Sequence, residues 1–159
     1  MERWVPKELI DNWDNTGFQI GSPEKNVQKI LIALDLDKNV LNKAKDEKFQ
    51  MIITHHPIIF KPLSSLTTTE HTTSIIFDTI KNDIVAYNAH TNLDLVEGGV
   101  NDSLAKALLL KNTKPLSLIK KESLPQTLGY GRVGYVDRIR LDDYLNIIKT
   151  NLSATHLVV

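Results

Sequence analysis

Residues 29 to 60 read KILIALDLDKNVLNKAKDEKFQMIITHHPIIF, and the order of patterns in this stretch decides the fold. Lys29 to Asp35 is a short apolar run that ends in a carboxylate. From Lys38 to Lys48 the period changes: Val40, Leu41 and Ala44 stand at helical spacing, and Asp37 is placed to cap the helix. Met51 to Thr54 returns to a short apolar, β-branched run. Strand, helix and strand in that order form a βαβ unit, which predicts a parallel pair with its helix on one face. Thr72 to Asn82 repeats the helical pattern, with Ile75, Ile76, Thr79 and Ile80 facing the core, and Ile84 to Ala89 supplies a third strand. Two βαβ units predict an α/β lobe with a mostly parallel or mixed sheet flanked by helices.

Downstream the pattern loosens. Asn101 to Leu110 reads as a helix introduced by Gly98 and Gly99 and capped by Asn101 or Asp102. KNTKPLSLIKKESLPQT, residues 111 to 127, has two prolines and no periodicity, and reads as a surface connection. Tyr130 to Arg140 alternates like a strand. Leu141 to Leu152 carries apolar residues at 141, 145, 148 and 152, a helical stripe, and Ala154 to Val159 reads as a last strand. Neither an internal repeat nor a low-complexity segment is present.

Composition narrows the function. With 159 residues, 42% hydrophobic and 24% charged, the chain has the make-up of one ordinary globular domain, residues 1 to 159. Lys plus Arg (19) balances Asp plus Glu (19), so no basic field favours nucleic acid or an anionic membrane. Without cysteine there are neither disulfides nor thiolate metal sites. The N-terminus MERWVPKELIDNWD has no signal-peptide core, and no apolar run reaches the ~18 to 20 residues of a membrane helix. The expectation is a cytoplasmic protein with no membrane and no nucleic-acid partner.

The chemistry should lie at the strand ends, since ligands of α/β sheets gather outside the carboxyl ends of the parallel strands. Three predicted strands end in polar groups: Asp35 after ILIAL, Thr54-His55-His56 after MII, and Asn88, His90 and Asp94 within YNAHTNLD. Single histidines such as His71 and His156 read as structural or surface residues. An adjacent pair is different, because neighbouring side chains of an extended strand point to opposite faces. His55 and His56 can serve one site only if the backbone turns there, or if two ions sit side by side. Pro57 fixes its own φ and biases His56 away from the helical region, which makes a rigid turn. Imidazoles together with a carboxylate suit zinc, manganese, iron or nickel.

Two motifs fail on context. Gly129, Gly131 and Gly134 spell the dinucleotide fingerprint, but no strand precedes them and no helix begins at their end to receive a pyrophosphate; a bend or a close backbone approach is expected instead. Asp35, Asp37 and Asn39 open like a calcium loop, but Val40 stands where glycine is needed and Asp46 where glutamate is needed.

WDNTGFQIG (13 to 21), ITHHPIIF (53 to 60) and AHTNLDLVEGGVND (89 to 102) resemble the three signature blocks of the Nif-three-like family, whose members are often labelled GTP cyclohydrolase 1 type 2 homologues. Order and spacing agree over about the first two thirds of the chain, and GYGRVG followed by a strand and a helix continues the match. The resemblance implies a dinuclear centre of two divalent metal ions inside a hexameric toroid of α/β lobes. By position, His55 and His56 match the paired ligands, one on each metal, and Asp94 matches the carboxylate on the first. His90 matches a position near the metals, as an outer residue or the catalytic proton-transfer group, and Asp14 belongs to the block that shapes the pocket.

Family members continue into a second lobe that supplies a further histidine and a bridging glutamate. The chain therefore reads as the N-terminal lobe of a longer protein or a fragment of one, with two metals held only in part. The implied activity is metal-dependent hydrolysis of a nucleotide or phosphate-containing small molecule, with the family label pointing to GTP. The alternative is a non-catalytic metal-binding or interaction scaffold. A calcineurin-like phosphoesterase is disfavoured, because Asp35, Leu36 and Asp37 stand where a D-x-H block belongs.

Overall fold

The computed structural model of the protein describes residues 1–119 and 128–158. Their contacts divide the chain into two compact units, Met1–Leu93 and Asp94–Val159. Among the described residues, no helix is long and apolar enough to cross a membrane.

The first unit is a mixed α/β sheet flanked by helices, as the opening stretch predicts. Strands β1 (Gly17–Ile20), β2 (Ile30–Ala33), β3 (Met51–Thr54) and β4 (Val85–Asn88) lie in the order β1-β4-β3-β2. β2, β3 and β4 run parallel, with Ile30 beside Met51 and Met51 beside Val85. β1 closes the far edge antiparallel, with Gly17 beside Asn88, and a bulge at Gln19 shifts the register before Ile20 meets Ala86. Helix α1 (Lys38–Asp46) is capped by Asp37, whose carboxylate accepts the Val40 N–H at 2.7 Å. Helix α2 (His71–Lys81) carries the return to β4.

The core lies between the helices and one sheet face: Leu41 and Ala44 of α1, Ile75 and Ile76 of α2, and Ile20, Ile52 and Ala86 of the sheet. Ile80 departs from expectation. It is 53% exposed while Ile75, Ile76 and Thr79 are buried, because the arc that α2 buries is narrower than its apolar stripe.

A short helix, α3 (Thr91–Leu95), follows β4. The second unit then comprises α4 (Val100–Ala107), β5 (Lys111–Lys114), β6 (Ser117–Leu118), β7 (Gly129–Tyr130), β8 (Val133–Tyr135) and α5 (Leu141–Asn151). β5 pairs antiparallel with β8, and β6 with β7. Several expectations are corrected here. Residues 111–118, read as a surface connection, form two strands; residues 120–127 of that stretch lie outside the described residues. The strand expected over 130–140 is confined to β7 and β8, and the one expected from Ala154 is absent over 154–158, Val159 lying outside the described residues. α4 begins one residue early, at Val100, with Gly99 as a cap that offers no side chain. Asp102 instead reaches back from the first turn and accepts the Gly98 N–H at 2.7 Å.

The glycines of 129–134 serve close approach, as expected. A Cβ on Gly129 would stand 2.1 Å from the Ser117 carbonyl oxygen of the paired strand, and one on Gly134 would stand 2.8 Å from that of Lys111. Between these strands Arg132 is nearly buried: its Nε donates to Asp102, and its Nη1 donates to the Gly131 and Gly129 carbonyls at 2.7 and 3.0 Å. Burial would raise the Asp102 carboxyl, but the Arg132 hydrogen bond, the Gly98 amide and the guanidinium charge outweigh it and hold the carboxyl below its ordinary value.

Asp102 is charged more readily in the folded than in the unfolded chain. Its contribution is therefore complete above the ordinary carboxyl value of about 4 and is lost as pH falls through the depressed folded value. Urea unfolding at pH 7 should find Asp102→Asn less stable by about 1.5 to 3 kcal/mol. The difference from wild type should shrink steadily as pH falls below about 4.

Candidate metal centre

The site begins where β3 stops. The His55 and His56 amides both donate to the Leu34 carbonyl, at 3.2 and 3.1 Å, so one oxygen just beyond β2 gathers two successive N–H groups. The Thr54 hydroxyl donates to the His56 carbonyl at 2.8 Å and closes the bend from the other side. The alternation of the strand is thereby broken, and the two rings lie on one side with centroids 5.0 Å apart. β4 delivers the third imidazole: His90 lies 5.2 Å from the His55 ring and 5.6 Å from the His56 ring. One ring nitrogen from each of the three histidines lies within 4.8 Å of the others.

Each ring is held by its Nδ1. His55 Nδ1 meets the Ala89 carbonyl at 3.0 Å, His56 Nδ1 meets Asp35 Oδ1 at 2.8 Å, and His90 Nδ1 meets Asp14 Oδ1 at 2.9 Å. A carbonyl or carboxylate oxygen only accepts, so in every case Nδ1 carries the proton and donates. In the neutral rings Nε2 is then the lone-pair nitrogen. Metal-binding histidines are oriented in this way, by a carbonyl or carboxylate on the far nitrogen.

Asp14 is the most enclosed of these supports, its side chain 0% exposed. Burial would raise its carboxyl, but donors surround it: the Thr91 hydroxyl at 2.6 Å, His90 Nδ1, the Thr16 hydroxyl at 2.7 Å and the Thr91 amide at 3.3 Å. Together they hold it below the usual carboxylate range, so Asp14 stays ionised beside His90. Its neighbours fasten the loop after the histidines. Asn15 Nδ2 donates to the Ile59 carbonyl at 2.6 Å, and the bulged Gln19 accepts the Ile59 N–H at 3.0 Å. The Trp13 indole, 61% exposed, stands edge to face with His90 and packs against Phe60, both at centroid distances of 6.2 Å.

Of the expected set, the structure brings His55, His56 and His90 together. His90, read as a proton-transfer residue, contributes a nitrogen to the same cluster as the paired histidines. Asp94 lies in α3 as the first residue of the second unit, half-buried, its backbone carbonyl accepting from Asn101 Nδ2 at 2.8 Å. Asn88 turns away to accept the Gly17 amide at 3.1 Å. His71 opens α2 on the surface, and His156 meets the Thr155 hydroxyl. Sequence reasoning missed Asn15, Gln19 and Thr91, whose work is done through backbone groups and a carboxylate; their crowding into the same two short blocks as Asp14 and His90 was the available signal.

The family model described as Duf34/NIF3 (NGG1p interacting factor 3) matches residues 1–159. A "GTP cyclohydrolase 1 type 2 homolog" of Halalkalibacterium halodurans is 42% identical over 87% of this chain and 37% of its own length. One from Clostridium perfringens is 37% identical over 99% of this chain and 59% of its own. The crystal structure of Staphylococcus aureus hypothetical protein SA1388 superposes with a TM-score of 0.85 at 31% identity, covering 96% of this chain and 61% of that one. The chain thus spans 37% to 59% of the length of these two curated relatives.

Asp14→Asn should release His90. The amide cannot accept all the hydrogen bonds of the carboxylate, so a cost of about 2 to 3 kcal/mol is expected in urea unfolding. Nitrogen-15 spectra of the rings should change from a single Nδ1–H tautomer of His90 in the wild type to a mixture in the variant.

Proposed function

The chain belongs to the Duf34/NIF3 family, and on that premise we propose that the His55, His56 and His90 cluster is a divalent metal site serving hydrolysis of a nucleotide or another phosphate-containing small molecule. One observation carries the reading: three Nε2 lone pairs are supplied by rings whose Nδ1 atoms are already committed to Ala89, Asp35 and Asp14. Three clustered surface histidines without a common role would have no reason to share one tautomer. The donor set is all imidazole, which fits zinc, manganese, iron or nickel and does not fit calcium or magnesium. The name carried by the curated relatives, "GTP cyclohydrolase 1 type 2 homolog", lends support to a nucleotide as substrate.

A bound divalent ion would supply a water acidified to near neutral pH and a clamp for an oxyanion. The chain's own residues do the rest. His55 and His56 hold their rings rigidly through Leu34, Ala89 and Asp35. Asp14 keeps the proton on His90 Nδ1, which leaves Nε2 as the nitrogen that can ligate or receive a proton. Trp13, packed against Phe60, stands edge to face with His90 and offers an apolar side to a reacting phosphate there. Asp94 is the carboxylate that the family resemblance assigns, and the proposal places the protein in the cytoplasm as a homo-oligomer.

Three imidazoles make most of the coordination shell of one ion and far too little of two. Elemental analysis after dialysis with zinc or manganese should therefore find about one ion per chain or less, and His56→Ala should retain none. Asp94→Asn, run alongside, tests the assigned carboxylate. Phosphate release from nucleoside triphosphates should require the metal and disappear in His56→Ala. Two tightly held ions per chain would overturn the donor count; metal retention with no metal-dependent turnover would favour the scaffold reading.

A further inference from the structure

Trp13 stands 61% exposed beside His90, on a backbone that is held at both ends. It is the third residue of the turn 11–14, which the Asp14 N–H closes on the Asp11 carbonyl at 2.9 Å. Both ends of this turn meet Thr91, whose hydroxyl accepts the Asp11 N–H at 3.5 Å and donates to the Asp14 carboxylate at 2.6 Å. The turn gives two neighbouring side chains different places on one imidazole. Asp14 is enclosed and holds His90 Nδ1, whereas Trp13 lies in the open against the same ring.

Phe60, 47% exposed, comes from another segment, the loop after the paired histidines. The Asn15 side-chain amide donates to the Ile59 carbonyl at 2.6 Å and so ties the two segments together next to the two rings. The Phe60 and His90 planes are inclined to the indole by 62° and 87°, so neither neighbouring ring stacks on it. The indole is braced, and most of it is still open to a parallel partner.

A lone exposed apolar side chain is ordinary on a protein surface. An indole fixed by a clamped turn and two rings, beside three imidazole nitrogens, has a more particular use. Its natural partner is flat and π-bearing, and is joined to a group that the histidine cluster would hold. A nucleobase on a phosphate chain meets these conditions. A sugar phosphate or an inorganic polyphosphate lacks the flat ring.

We propose that Trp13 is a specificity-determining residue, the platform on which the planar base of a nucleotide stacks while its phosphates reach His55, His56 and His90. This rests on the reading of that cluster as a metal site for phosphate hydrolysis. Stacking engages the face of a base rather than its hydrogen-bonding edge. Guanine and adenine nucleotides are therefore accepted alike, and phosphates without a ring are disfavoured.

The chain has two tryptophans, so Trp4→Phe leaves Trp13 as the only indole. In that background, loaded with zinc, guanosine and adenosine monophosphates should each quench the fluorescence to saturation, and ribose 5-phosphate should not. Two variants with the second tryptophan intact then separate stacking from bulk. Trp13→Phe keeps a π face, and Trp13→Leu keeps only apolar volume. With equal zinc content in the two, KM for GTP should be about tenfold higher in the leucine variant. The values of kcat should differ little between them, as expected for binding shared by ground and transition states. KM for inorganic tripolyphosphate should be the same in both. Quenching by guanosine monophosphate without phosphate release from any substrate would support the platform and remove the hydrolase reading. Metal-dependent phosphate release from GTP with equal KM in the two variants, or quenching by ribose 5-phosphate as strong as by guanosine monophosphate, would overturn the platform and leave the hydrolase reading standing.

Discussion

A strand sends successive side chains to opposite faces, and everything in the candidate metal centre depends on how the chain escapes that rule at His55. The device is one carbonyl. Leu34, just past the end of β2, accepts both the His55 and the His56 amides, so β3 cannot continue its ladder and bends within a single residue. Thr54 secures the bend with its hydroxyl on the His56 carbonyl. Without this arrangement one imidazole would point into the helix layer and the other away from it. With it, both rings stand at the carboxyl end of the parallel strands, where β4 brings His90 to meet them.

Position alone does not make a donor. Each ring must also present the right nitrogen, and here three different kinds of support do so: a backbone carbonyl for His55, a largely exposed carboxylate for His56 and a fully enclosed carboxylate for His90. The enclosed one has the strongest physical argument. An ionised carboxylate removed from water is costly unless its oxygens are filled, and four donors fill those of Asp14. The N-terminal block therefore acts at a distance of some 76 residues in sequence: Asp14 sets the His90 ring, while Asn15 and Gln19 pin the backbone that follows the paired histidines.

Much of this is legible in the sequence, and the parts that are not have identifiable causes. β2, β3, β4 and their helices announce themselves because core-facing strands must be apolar and helices must change the period to 3.6. The paired histidines stand out because they break such a run. β1 is missed because Gly17, Phe18, Gln19 and Ile20 follow no clean alternation, the bulge at Gln19 having shifted the phase. β5 is missed for a different reason: Lys111, Asn112, Thr113 and Lys114 are all exposed, so no burial pattern was ever imposed on them. The stripe on α5 predicts its helix well and its burial poorly, for none of its residues is buried among the described ones. His90 as a candidate could be read from AHTNLD, but its tautomer could not, because the carboxylate that fixes it, Asp14, comes from the loop before β1, 76 residues away in sequence.

The second strand ties these observations together. Its inward backbone groups hold β3 in register, the Leu34 carbonyl just past its end bends the histidines, and Asp35, the next residue, orients one of them. What remains is an outer edge whose polar groups and apolar side chains are open to solvent. Interior strands satisfy both kinds of group through two neighbours; among the described residues β2 has one. A natural edge is normally blunted by charge, proline or bulge, and the charges here, Lys29 and Asp35, sit outside the apolar segment with opposite signs. Both are turned to the chain itself, the Lys29 ammonium to the Glu47 carbonyl at 2.7 Å and the Phe49 ring, and Asp35 to His56 Nδ1, so the edge and the candidate metal centre draw on the same short segment.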